Sequence, residues 1–313
     1  MEQMIEKQRH FRFSPEASQA KRLKTPLVAL ETTVLTHGLP YPESIQLARR
    51  MEEIVRQEGA VPATIGVIDG MIHIGLEPEQ VESLVSSSNL RKISRRDFGP
   101  AIAQSASGGT TVAGTLIAAH AAEISVFATG GIGGVHRDSP FDISADLPQL
   151  ARTPVVVVCA GAKAILDLPA TLEYLETVGV PVVGYQTDEF PAFYSIESGL
   201  PVSARADSPE DVAAIANAHW GIGLENAVLV AVPPPQDVAL PADEVHGAIE
   251  QALAEARDQD VRGQAITPFL LGRVSELTGE ASLKANLGLL HNNARVAAKI
   301  AKALTKRNKL RTI

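Results

Sequence analysis

Four glycines, Gly130, Gly131, Gly133 and Gly134, stand just ahead of His136 and Arg137, and two carboxylates follow in Phe141-Asp142-Ile143-Ser144-Ala145-Asp146. Glycine lets backbone N–H groups come close to an anion, so the first part reads as a phosphate cradle or as a tight connection after a strand. Asp146 precedes an expected helix start at Leu147, where capping the helix and binding a ligand are both open to it. The chain then runs through the apolar stretch Val155 to Val158 into Ala160-Gly161-Ala162-Lys163. Four consecutive valines read as a buried parallel strand, and the carboxyl end of such a strand is where open α/β sheets place their ligands. Lys163 is therefore a candidate nucleophile.

The elements that must position these groups are legible along the chain. Leu27 to Leu30 reads as the first core strand and ends at Glu31, which by default is a solvated loop carboxylate. A helix is expected from Glu43 to Glu58, with Ile45, Leu47, Ala48, Met51, Ile54 and Val55 as its apolar stripe and Gly59 as its stop. Thr64 to Ile68 and Met71 to Ile74 flank Asp69-Gly70, a strong hairpin signal, so the sheet is expected to be mixed. After a helix at Pro78 to Val85, the cluster Arg91-Lys92-Ile93-Ser94-Arg95-Arg96-Asp97 suits a phosphate or carboxylate, or a solvated charge run. Gly108-Gly109-Thr110-Thr111 leads into a helix at Val112 to Ala122 and forms a second candidate anion seat.

Beyond Lys163 the spacing predicts a helix at Thr171 to Thr177, a strand at Val180 to Tyr185, and an irregular stretch around Phe190-Pro191-Ala192-Phe193. A helix at Pro209 to Trp220, a strand at Val228 to Val232, and closing helices at Asp243 to Arg257, Pro268 to Leu277 and Leu283 to Leu304 follow. This alternation predicts a single three-layer α/β/α domain over residues 25–313, with a central mixed, mostly parallel sheet. Residues 1–24 read as a polar N-terminal extension, and the basic residues Lys302, Lys306, Arg307 and Lys309 as a solvated tail.

The 313 residues are 45% hydrophobic and 4% aromatic and carry a formal charge of -8. That balance argues against a nucleic-acid partner and favours small molecules. The single cysteine, Cys159, excludes an internal disulfide framework and reads as a packed thiol in a reducing compartment. No apolar stretch approaches membrane-spanning length and no secretory leader is visible, so a cytoplasmic location with no membrane partner is expected.

Motifs along almost the whole chain resemble those of the pseudouridine-5'-phosphate glycosidase family, which includes proteins of indigoidine pathways. They are Ala29-Leu30-Glu31-Thr32-Thr33, Val61-Pro62-Ala63-Thr64-Ile65, Ser94-Arg95-Arg96-Asp97, Thr129 through Arg137, Phe141 through Asp146, Cys159 through Lys163, Gly184 through Pro191, and Thr267-Pro268-Phe269-Leu270-Leu271. The loop from Arg137 to Phe141 is short for the family. The resemblance implies a homotrimeric lyase that uses manganese, with magnesium as the alternative, and reversibly splits pseudouridine 5'-phosphate into uracil and ribose 5-phosphate. Position by position it implies Lys163 as the covalent nucleophile, Glu31 as the proton donor and Asp142 as the metal ligand. Lys92, Val112, Thr129, His136, Ser144, Ala145 and Asp146 match substrate-binding positions.

The chemistry accounts for those residue types. A carbon–carbon glycosidic bond has no leaving oxygen at the base, so the two-carboxylate scheme of ordinary glycosidases does not apply. A neutral amine bonded to the anomeric carbon of an opened sugar can instead expel the base carbon as an imine forms. Lys92 or Arg95 could hold the phosphate. Two other classes fit the composition: a sugar-kinase-like phosphotransferase, against which the missing Walker A pattern counts, and a non-catalytic sugar-phosphate binder.

Overall fold

The apolar runs become neighbouring strands of one sheet. The computed structural model describes residues 9–87, 89–137, 139–261, 266–279 and 281–311. The strands are β1 (Phe11–Phe13), β2 (Leu27–Leu30), β3 (Val61–Ile68), β4 (Met71–Ile74), β5 (Arg91–Ile93), β6 (Gly108–Thr110), β7 (Val126–Ala128), β8 (Val135–His136), β9 (Ser139–Ile143), β10 (Val156–Cys159), β11 (Leu166–Asp167), β12 (Val182–Tyr185), β13 (Ala204–Ala206) and β14 (Val228–Ala231). The main sheet has eleven strands in the order β1-β4-β3-β2-β7-β10-β14-β12-β13, with β6 joined to β3 and β5 to β6. Its pairs are parallel except β3 with β4 and β3 with β6. The expected mixed, mostly parallel sheet is thus present, with Asp69 and Gly70 at positive φ (49° and 75°) in the turn between β3 and β4.

The helices are α1 (Pro15–Leu23), α2 (Glu43–Gln57), α3 (Pro78–Ser86), α4 (Phe98–Ala103), α5 (Val112–Ala121), α6 (Asp146–Leu150), α7 (Leu168–Thr177), α8 (Pro209–Gly221), α9 (Ala242–Asp258), α10 (Ile266–Leu277) and α11 (Ala281–Arg311). On one face α11 packs on β2, β7 and β10 and on α2 and α8, while α5 packs with α6 and against β2, β3 and β7. Helices on both faces explain why the central strands are apolar throughout: Val155, Val156, Val157, Val158 and Cys159 have 0% exposure. Full burial of one valine contributes about 1.5–3 kcal/mol relative to exposure, so this strand is a principal anchor of the segment that carries Lys163.

Part of the stretch 1–24, expected as a polar extension, is built into this body. Phe11 and Phe13 alternate with Arg12 on β1, which pairs in parallel with β4, and α1 buries Ala17 and Ala20 behind a cap in which Ser14 Oγ accepts from the Ala17 N–H at 3.1 Å. Charged residues on the outer face of a short amphipathic helix had concealed its inner one. Lys302, expected in a solvated basic tail, donates its ammonium to the Glu58 carbonyl just past α2 at 2.7 Å. Residues 1–8 and the side chains of Arg307 and Lys309 lie outside the described residues.

Candidate active site

Three parallel strands, β2, β7 and β10, lie side by side and end together. Leu30 is in register with Ala128, and Ala128 with Val158. The next residues, Glu31 and Thr129, are therefore neighbours, and the Thr129 hydroxyl donates to Glu31 Oε1. The two segments that follow β7 and β10 stay joined through backbone bonds, in which Ile132 N–H donates to the Gly161 carbonyl and Lys163 N–H to the Ile132 carbonyl, both at 3.0 Å. Parallel pairing thus delivers Lys163 to the glycine segment opposite Glu31. Lys92 arrives from β5, where it is in register with Gly109.

Glu31, Lys92, Lys163, Gly130 and Gly131 line one narrow cavity. Burial pushes the Glu31 carboxyl above the ordinary carboxylate range, against the opposing pull of Lys163, the Thr129 hydroxyl and Lys92, and the nearby charge of Asp146 adds to the rise. Burial likewise holds Lys92 below the usual lysine value, helped by Lys163 and opposed by Asp146 and Glu31. His136 is held low by burial and by both lysines, with Asp142 pulling the other way. Glu31, Lys92, Asp146 and Lys163 thus form one set of interacting charges, with His136 affected by both lysines and Asp142 acting on His136.

Asp146 has a different job from capping its own helix. One carboxylate oxygen accepts from the Ala113 N–H and the other from the Gly133 N–H, both at 2.8 Å. The carboxylate sits at the N-terminal turn of α5, where the helix dipole favours a negative charge. The two anion seats expected around Gly130–Gly134 and ahead of Val112 thus share one internal anion, and Thr111 caps the helix by accepting from the Gly114 N–H at 3.1 Å. Gly133 is needed for this approach, because a Cβ there would lie 2.2 Å from Ser144 Oγ and 2.8 Å from Asp146 Oδ2.

The other expected residues divide. The Ser144 hydroxyl accepts from the Asp146 N–H at 3.2 Å, while Ala145 is exposed and precedes α6. The Val112 side chain is core, at 2% exposure, so its backbone N–H at the start of α5 is the part left for a ligand. Of the basic cluster only Lys92 lines the cavity: Arg91 donates to Gln104 Oε1 at 2.6 Å and Arg95 to Gln149 Oε1 at 2.9 Å. Arg95 is thereby tied to Gln149 and is not part of the cavity wall. Cys159 is buried and its thiol pushed up to about 12 by that burial, so it is packing.

Asp142 stands exposed on β9, which joins β8 and β11 in a small antiparallel sheet beside the Lys163 segment. Among the described residues no three His, Cys, Asp or Glu side chains gather into a metal cage. One hard carboxylate oxygen with water around it is the donor set that manganese or magnesium accepts and zinc does not prefer.

Sequence reasoning missed several residues of the cavity wall: Thr33, His37, Phe193, Leu271 and Asn286. Behind it Asn293 is fully buried and donates to the Thr129 carbonyl at 2.8 Å. A signal existed for the asparagines, since residues 286, 289, 290 and 293 share one helix face and two of the four are polar on a face that is otherwise leucine. Phe193 gave none; it adopts φ 62° and its ring fills the space where a Gly131 Cβ would be, 2.6 Å away. Arg137 lies behind the Lys163 segment, donating to the Leu166 carbonyl at 3.2 Å and to Glu250 at 3.0 Å. It borders a wider hollow that contains neither Glu31 nor Lys163.

The chain is similar to proteins of known kind over nearly its full length. A pseudouridine-5'-phosphate glycosidase of Caldanaerobacter subterraneus subsp. tengcongensis is 52% identical over 295 residues, 94% of this chain and 96% of that protein. One of Staphylococcus aureus is 48% identical over 305 residues, 97% of this chain and 99% of that protein. Among solved structures, the prealnumycin C-glycosynthase AlnA in complex with ribulose 5-phosphate superposes with a TM-score of 0.90 at 40% identity, covering 96% of this chain and 99% of AlnA. An indigoidine synthase A (IdgA)-like protein from Thermotoga maritima gives 0.87 at 36% identity, covering 94% of this chain and 96% of that one. The model of the family described as indigoidine synthase A like protein matches residues 16–303, and the chain belongs to that family.

Proposed function

We propose that the chain is a pseudouridine-5'-phosphate glycosidase, a lyase that cleaves a carbon–carbon glycosidic bond to give uracil and ribose 5-phosphate. The observation that carries this reading is the meeting of Lys163, Lys92 and a half-buried Glu31, whose carboxyl is pushed above the ordinary range, in one cavity. Glu31 gives its proton to the ring oxygen as the bond from C1' to that oxygen breaks, and the Lys163 amine, in its neutral form, bonds to C1'. The ammonium so formed returns a proton to the Glu31 carboxylate, which passes it to C5 of the base; the nitrogen lone pair then forms a C=N bond while the bond from C1' to C5 breaks, its electron pair restoring the C5=C6 double bond of uracil. Water hydrolyses the imine, releasing ribose 5-phosphate and restoring Lys163. Lys92, the cation of its cluster that faces the cavity, supplies charge for the phosphate. Asp146 supports this arrangement from behind by fixing the Gly133 and Ala113 N–H groups.

Asp142 would hold a divalent cation, manganese or magnesium, through one oxygen, and the cation when bound would offset phosphate charge. With one protein ligand its affinity should be modest, so a chelator should remove activity, manganese should restore it, and Asp142→Ala should lose that response. Assembly as a homotrimer is part of the reading; the exposed Phe141 beside Asp142, at 97% exposure, supports an interface there. Light scattering on the 33.1 kDa chain measures it.

The direct test is release of uracil from pseudouridine 5'-phosphate in the presence of manganese. Binding of ribose 5-phosphate without uracil release or a borohydride-reducible adduct would make the protein a binder and sink the enzymatic reading.

A further inference from the structure

His37 lines the same cavity from a π-helical turn, Val34–Gly38, that follows Glu31. Thr36 Oγ1 stands 3.1 Å from the Thr32 carbonyl and 2.7 Å from His37 Nδ1. The hydroxyl has one proton. If it went to His37, the hydroxyl and the Thr32 carbonyl would face each other with lone pairs. Both contacts are hydrogen bonds only when Thr36 donates to the carbonyl and accepts from a protonated Nδ1. In a neutral ring that leaves Nε2 as an acceptor. Burial of part of the ring, with Lys92 nearby, favours the neutral form.

An acceptor nitrogen does not suit a phosphate. Beside the polar groups assigned to the sugar phosphate, Val34, Phe193 and Leu271 supply apolar wall to the same cavity, which a sugar would leave unused. Apolar wall together with one acceptor nitrogen fits a heteroaromatic base that carries a ring N–H. A pyrimidine joined to sugar through carbon keeps both of its ring N–H groups, whereas one joined through nitrogen has lost one.

We propose that His37 is a specificity-determining residue that recognises the base, its Nε2 accepting a ring N–H of the pyrimidine. The inference rests on the glycosidase reading above and goes beyond it by naming the group that reads the base. Loss of one such bond in a partly desolvated site corresponds to about tenfold in kcat/KM.

The test compares pseudouridine 5'-phosphate with its N1-methyl and N3-methyl derivatives in the wild-type protein, His37→Phe and His37→Gln. Borohydride trapping with ribose 5-phosphate, which involves no base, controls for folding and for Lys163. Expected is about tenfold or greater wild-type discrimination against one methyl derivative. His37→Phe should lose about tenfold on the parent substrate and much of that discrimination, and His37→Gln, which keeps an acceptor oxygen, should recover part of both. Equal discrimination in wild type and His37→Phe, with trapping intact, overturns the proposal. Absence of trapping in the wild type overturns the glycosidase reading on which it rests.

Discussion

The Thr129 hydroxyl bonds the Glu31 carboxyl across a gap of 98 residues in the chain, because each is the first residue beyond a pair of strands in register. The carboxyl is thereby held in one orientation inside a site that disfavours its charge. A carboxyl whose surroundings favour its protonated form, pointed at a fixed place, is what departure of a sugar ring oxygen requires.

Glu31→Gln should lower kcat by about 10²–10⁴-fold, the usual range for loss of a general acid. It should also remove the alkaline limb of the pH profile, where the wild-type rate falls as Glu31 loses its proton. The substitution acts in the opposite direction on stability. A carboxyl whose folded value is raised contributes stability below its unfolded value of about 4.3, and that contribution is lost as pH rises through the folded value. Above that value Glu31→Gln should melt higher than wild type, and a lower melting point there would contradict the buried acid.

Lys163→Ala should abolish turnover and borohydride labelling while remaining folded, and Lys163→Arg should rescue neither, because a guanidinium stays protonated at working pH. Mass mapping of the wild-type adduct should find one sugar phosphate on the Lys163 peptide. Substantial activity in Lys163→Arg would mean that the residue acts through charge alone, and a label on Lys92 would move the amine chemistry there.

Asp146→Asn should destabilise the protein by about 1.5–3 kcal/mol, since the carboxamide accepts one of the two N–H bonds and turns its own NH2 toward the other donor. Its negative charge also raises Glu31, so the alkaline limb of activity should move to lower pH. Calorimetry and a pH-rate profile read the two effects separately. An unmoved limb would remove Asp146 from the electrostatics of the site.

Gly131→Ala places a methyl 2.6 and 2.7 Å from Phe193 ring atoms, and overpacking of this kind costs about 1–3 kcal/mol. The ring must shift, and with it one wall of the cavity, so kcat/KM should fall more than the melting point would suggest. Adding Phe193→Leu should relieve the clash, and the double variant should lose less than the sum of the two single changes.

Much of the frame was local enough to be legible in the residues. Four valines ahead of Lys163, the apolar stripe of Glu43–Gln57 and the Asp69-Gly70 turn each specify their own conformation through burial and φ preference, and each appears as expected. Glu31 and Lys163 could be placed at strand ends for the same reason. Which strand ends would lie together was not a local matter, because pairing of β2, β7 and β10 joins segments separated by many tens of residues whose patterns are alike. Tertiary packing alone sent the N–H groups of Gly133 and Ala113 to Asp146 and Arg95 to Gln149. It also brought His37, Phe193 and Asn286 to the cavity. Hydrophobic period tells which face of an element is buried; it is silent on what that face meets, and a polar group's role depends on the partner that satisfies it.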